Sequence, residues 1–146
     1  MKQSSTTKIV LWVAVGAVAG YLVWWLIPEY LRKNEDPRSS TRLSRIAADL
    51  NRSMPVMIDQ ETELMPVQGA AGVLIYNYRL VNYSVAQINR DKFAAGAKQR
   101  VSQNACKTAD TRDEFLNKGV TLRYNYYDKD KQHIATVDVT PADCAG

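Results

Sequence analysis

The chain has 146 residues, 46% hydrophobic and 23% charged, with a net charge of +4, two cysteines and one histidine. That length allows one small domain beside a targeting segment, not two. Acids are interleaved with bases throughout, so no clustered basic face points to a nucleic-acid partner.

Residues 9–27, IVLWVAVGAVAGYLVWWLI, carry no charge. A helix of that length reaches roughly 28 Å, close to the ~30 Å hydrocarbon thickness of a bilayer. Trp24, Trp25 and Tyr30 follow the preference of amphipathic rings for the headgroup zone, and Pro28 ends the apolar run. The pattern predicts a short cytoplasmic stretch over residues 1–8, a transmembrane helix over 9–27, a juxtamembrane linker over 28–39 and a soluble domain over 40–146. Membrane lipid is then one partner. A cleaved signal peptide is the competing reading, with Lys2 and Lys8 as its basic region and Ala17-Val18-Ala19 as its cleavage site. The apolar run continues well past that site, which favours a retained anchor. Gly16 and Gly20 form a G-x-x-x-G face on which a second helix could pack closely.

In the soluble part, Leu43, Ile46, Ala47 and Leu50 form one apolar stripe on a helix, with Ser39, Ser40 or Thr41 as its N-cap. Residues 56–64 read as extended, and Gln68-Gly69-Ala70-Ala71-Gly72 reads as a turn. Leu74, Tyr76, Tyr78 and Leu80 alternate with Asn77 and Arg79 on a half-buried strand. Phe93, Ala97 and Val101 mark a second helix over residues 88–106, and residues 110–118 a short third one closed by Gly119. Residues 120–127 and 133–140 flank Asp128-Lys129-Asp130-Lys131 as a hairpin. Leu122, Tyr124 and Tyr126 share its buried side with Ala135, Val137 and Val139. The order α-β-β-α-α-β-β predicts an α+β domain, a small antiparallel sheet packed by helices.

Cys106 and Cys144 lie 38 positions apart. With His133 as the only histidine, they supply too few ligands for a closed zinc site and form no C-x-x-C pair, so no metal is expected. A disulfide between them would tie down the C-terminal tail and implies an oxidising compartment. Lys2 and Lys8 on the short side of the apolar run face Arg32, Lys33, Arg38, Arg42 and Arg45 on the long side. Counted naively, these charges would leave the domain in the cytoplasm. The cysteines favour the opposite orientation, with the N-terminus in and the domain in the periplasm.

Asp59, Glu61 and Glu63 alternate, which on a strand places three like charges on one face. Tyr83 and Tyr127 fall opposite the core tyrosines; with the three acids they form the candidate partner surface. His133 reads as a solvated strand-edge residue, and Asp128 and Asp130 as turn formers. No nucleophile–base set or phosphate-binding glycine loop appears, so neither catalytic residues nor a cofactor are expected.

The segments MPVMIDQETEL (54–64), YNYRLVN (76–82), GVTLRYNY (119–126) and TPADC (140–144) are similar to those of a group of small bacterial envelope proteins with an N-terminal hydrophobic segment and the same Thr-Pro-Ala-Asp-Cys ending. This resemblance implies bacterial origin and an envelope location, not a mechanism. The helix-then-strands order and residues 68–72 also resemble cystatin-type inhibitors, which would imply protease inhibition. The reading that follows is a non-enzymatic, single-pass inner-membrane protein whose periplasmic domain binds another envelope protein, or a second copy of itself, as an accessory or scaffolding subunit. The alternative is a membrane-tethered inhibitor, immunity or exclusion protein.

Overall fold

The computed structural model describes residues 34–145. The expected transmembrane helix, with Gly16 and Gly20, lies outside the described residues. Among the described residues no helix is long and apolar enough to cross a membrane. The compact unit begins at Asp36, and Arg38 already takes part in it, its carbonyl accepting from Gly72 N at 2.7 Å.

Helix α1 (Ser40–Leu50) starts where the Ser39 hydroxyl accepts from Arg42 N. Its i, i+4 pair Leu43 and Ala47 is buried, with Ile46 packed beside them. Strands β1 (Val56–Met57), β2 (Thr62–Ala70) and β3 (Val73–Leu80) follow. Helix α2 (Arg90–Lys107), capped by the Asn89 side chain, and the short α3 (Ala109–Glu114) lead to β4 (Thr121–Tyr127) and β5 (His133–Val139).

The five strands lie in the order β1-β2-β3-β4-β5. The sheet is mixed, which corrects the expected all-antiparallel arrangement: β3 and β4 run parallel, and the other neighbours are antiparallel. The physical reason is the connection. Chain leaving β3 crosses the sheet through α2 and α3 before entering β4, and such a crossover returns the chain in the same direction.

Two local readings also change. Residues 56–64 are not one strand. β1 pairs back on β2 through a tight turn in which Asp59 Oδ1 accepts from Glu61 N at 2.8 Å and Thr62 N at 2.7 Å. Residues 68–70 stay in β2, and the chain reverses only at Ala71-Gly72, where Gly72 takes φ +74°. Gly69 is needed for another reason. A Cβ there would lie 2.2 Å from the Leu43 carbonyl carbon, so α1 packs directly on the β2 backbone.

One face of the sheet carries the core. Leu74, Leu122 and Val139 form one fully buried row across β3, β4 and β5. Tyr76, Tyr124 and Val137 form the next, and Tyr78, Tyr126 and Ala135 the third. The tyrosines stack across the parallel pair at centroid distances of 5.3 Å for Tyr76–Tyr124 and 5.4 Å for Tyr78–Tyr126. Burial raises the Tyr78 and Tyr124 phenols well above their ordinary pKa and pushes Tyr126 up to about 12. α1 covers the β2 side of this face and α2 the β5 side. The Cys106–Cys144 disulfide joins the end of α2 to the turn after β5.

Candidate functional site

A groove opens on the helix-bearing face between the β1–β2 turn and α2. Its larger part encloses about 540 Å³. An adjoining part of about 290 Å³ runs along α2 and shares Thr62, Leu80, Phe93 and Arg100 with it. Leu80, Ile88, Phe93 and Tyr126 give it an apolar lining. Phe93 meets the Tyr126 ring edge-on at 5.0 Å, so both side chains are fixed by packing.

The two lips differ in charge. Asp59 and Glu61 stand on the turn side, while Lys92 and Arg100 stand on α2 with Gly96 between them at i+4 spacing. Asp59 is held below its ordinary pKa, first by the Glu61 backbone amide and in part by the positive charge of Arg100. Asp59 and Arg100 stand on opposite lips of the groove and form no ion pair with each other. Tyr83 Oη donates to Glu61 Oε1 at 3.0 Å, an anionic contact that raises the phenol's pKa.

Of the residues singled out from the sequence, Asp59, Glu61 and Tyr83 meet on this groove; Tyr83, expected opposite the core tyrosines, lies beyond the end of β3 at Leu80, where strand alternation no longer sets its side. Glu63 does not join them, which corrects the single acidic face: with Asp59 and Glu61 in the turn, only Glu63 points from β2 to the opposite sheet face. There it pairs with Arg79 at 2.8 Å. Tyr127 lies on that opposite face too, edge-on to His133 at 5.8 Å. His133 is exposed, and its Nε2 lies 2.9 Å from Thr136 Oγ1. Thr136 Oγ1 in turn donates to Asn125 Oδ1, and Asn125 Nδ2 to Asn77 Oδ1. These four polar side chains therefore satisfy one another. Cys106 and Cys144 are bonded as expected.

Lys92, Ile88 and Arg100 were missed as site residues. The signal was present in the i, i+4, i+8 row Lys92, Gly96, Arg100, which runs beside the Phe93, Ala97, Val101 stripe read as core. Among the described residues no group of three His, Cys, Asp or Glu side chains is placed to hold a metal ion.

No protein-family model and no curated protein matches the chain. Solved structures do match its fold. A Pseudomonas aeruginosa protein described as secreted aligns with a TM-score of 0.62 at 17% identity, covering 72% of this chain and 91% of that one. The pilotin of the Vibrio vulnificus type 2 secretion system aligns at 0.58 and 16%, covering 72% and 90%. The type II secretion system pilotin of Vibrio cholerae aligns at 0.58 and 15%, covering 78% and 99%. At these identities the likeness is one of fold.

Proposed function

We propose that this chain is a non-enzymatic accessory protein of the bacterial envelope that holds another envelope protein through the groove beside α2. The observation that carries the reading is the groove itself, an apolar floor between an acidic and a basic lip. An amphipathic segment fits such a site: its apolar face fills the space over Leu80, Ile88 and Phe93, and its flanking charges answer the lips. Two of the structural neighbours are secretion-system pilotins, which supports an envelope role. The disulfide supports a periplasmic domain, and the apolar run over residues 9–27 supports a single-pass inner-membrane anchor.

The test uses a photocrosslinking amino acid in the full-length protein in cells, placed either at Gly96 in the groove or at Gln68 on the opposite sheet face. One discrete adduct from Gly96 and none from Gln68 is the expected result. It should weaken on charge reversal of both lips (Glu61→Lys with Arg100→Glu) and be competed by a peptide with a leucine stripe flanked by lysines on one side and glutamates on the other. Equal labelling from both positions, or none from Gly96, would sink the proposal.

A further inference from the structure

Asp128 is the one charged residue among those described that is buried, at 1% exposure. Its Oδ1 accepts from Asp130 N at 2.9 Å and Gln132 N at 2.8 Å, which is all that the β4–β5 turn asks of an aspartate. Its Oδ2 does something the turn does not need. It accepts from Val85 N at 2.8 Å, across 43 residues of sequence. The neighbouring Lys129 N donates to Tyr83 O at 2.9 Å. The hairpin turn thus grips the connection between β3 and α2, the segment that carries Tyr83 and Ile88 into the groove. The same segment is held on its other side by Glu61, whose carbonyl accepts from Val81 N and whose carboxylate accepts from Tyr83 Oη.

We propose that Asp128 is the positioning residue of the groove: its second carboxylate oxygen fixes the wall that carries Tyr83 and Ile88, so the groove is formed before any partner arrives. The proposal rests on the groove being the partner site. It explains why the turn uses a carboxylate here. An asparagine accepts through one oxygen only, and with that oxygen kept for Asp130 N and Gln132 N its amide would point N–H groups at the Val85 N–H. Pre-formation matters because a site that need not order a loop on binding keeps more of its interaction energy as affinity.

The chemistry supplies two variants that cut the same contact from opposite ends. Asp128→Asn is nearly isosteric and spares the turn. Val85→Pro removes the donor at the first position of a 3-10 turn capped by Ser84, where proline is tolerated. Hydrogen exchange of the full-length protein reads the wall directly. Both variants should speed exchange of the amides at residues 81–88 by tenfold or more, leaving β4 and β5 protected, and the double variant should add little to either single change. Affinity for the lysine/glutamate-flanked leucine peptide should fall about tenfold in both.

Unchanged exchange at residues 81–88 in Asp128→Asn, with loss of protection confined to residues 130–132, would show a turn former only and overturn the proposal. Faster exchange with unchanged peptide affinity would overturn it too, because the wall would then not shape the site. A wild-type protein that fails to bind the peptide and yields no adduct from Gly96 would reject the groove reading itself, with the exchange result still deciding whether the wall is held by Asp128.

Discussion

Gly69→Ala is the sharpest probe of how the helix layer meets the sheet. The added methyl would lie 2.2 Å from both the carbonyl carbon and oxygen of Leu43 and 2.4 Å from Ser44 N. All three are backbone atoms of α1, so no side chain can rotate aside. Ordinary contact begins near 3.4 Å, so α1 must retreat by about 1 Å. Overpacking of this kind costs about 1–3 kcal/mol. The retreat also strains the Ser44 Oγ bond to Gly69 O at 3.0 Å and the pair that Asn51 makes with Val67 N and O at 2.6 and 2.8 Å. At about 1 kcal/mol per bond, partial loss brings the total to about 3–5 kcal/mol. That is a large share of the roughly 5–15 kcal/mol that holds a small domain folded. Urea unfolding of the full-length protein, followed by circular dichroism, should show the midpoint lowered by about 2 M for a slope of about 2 kcal/mol/M. Gly96→Ala is the control. It faces open space within helix α2, and alanine there should stabilise by about 0.5–1 kcal/mol. A Gly69→Ala midpoint equal to wild type would refute the direct seating of α1 on β2.

Three further outcomes follow from the contacts described. Reducing Cys106–Cys144, which spans 38 residues, should cost about 4 kcal/mol on the chain-entropy model; an unchanged urea midpoint in dithiothreitol would contradict it. Arg123 holds the Asp138 carboxyl, and Lys98 the Asp143 carboxyl, below the ordinary value of 3.8. Such stabilisation is complete above that value and is lost as pH falls through the folded pKa, so the melting temperature should drop on acidification from pH 4, and less steeply in Asp138→Asn. The opposite sign holds for the buried phenols. Burial raises the pKa of Tyr76, Tyr78, Tyr124 and Tyr126 above 10.0, so their contribution is intact below pH 10 and vanishes as pH climbs further; a phenolate absorbance titration with every tyrosine ionising near 10 in the folded protein would be the contrary result.

The elements that were legible in the sequence are those whose periodicity a single face dictates. Leu43, Ala47 and the alternating rows of β3, β4 and β5 repeat with the period of the element because one side of each is buried. Strand direction is not written in that alternation, since a half-buried strand looks the same beside a parallel or an antiparallel neighbour. The long helical connection from Leu80 to Thr121 was the available cue for the parallel pair. Gly69 misled for a related reason. Glycine usually marks a turn, but here it clears room for a helix backbone, a need set by Leu43 and Ser44, 26 and 25 positions away. The groove escaped the sequence because its two lips come from residues 59–62 and 92–100, brought together only by the crossover. The turn-forming role of Asp128 is legible in the sequence, while its bond to Val85 depends on tertiary placement.

Side chains that occupy part of the sheet edges also support the groove as the proposed partner site. An extended partner strand would need unpaired backbone on β2 or β5. On β2, residues 63 and 64 are taken by β1. Further along, Asn51 closes both the amide and the carbonyl of Val67 like a residue of a neighbouring strand, and Ser44 takes the Gly69 carbonyl. On β5, the Lys98 ammonium occupies the Asp138 carbonyl. β1 itself offers two residues directly after Pro55, and proline brings no amide to a new ladder. Strand addition at these positions would have to displace these side chains before gaining its own hydrogen bonds. The apolar floor beside Phe93 asks for no such exchange, and its flanking charges are not tied up in an ion pair with each other. On the proposed reading, a partner segment would gain more by lying across Leu80, Ile88 and Phe93 than by extending the sheet.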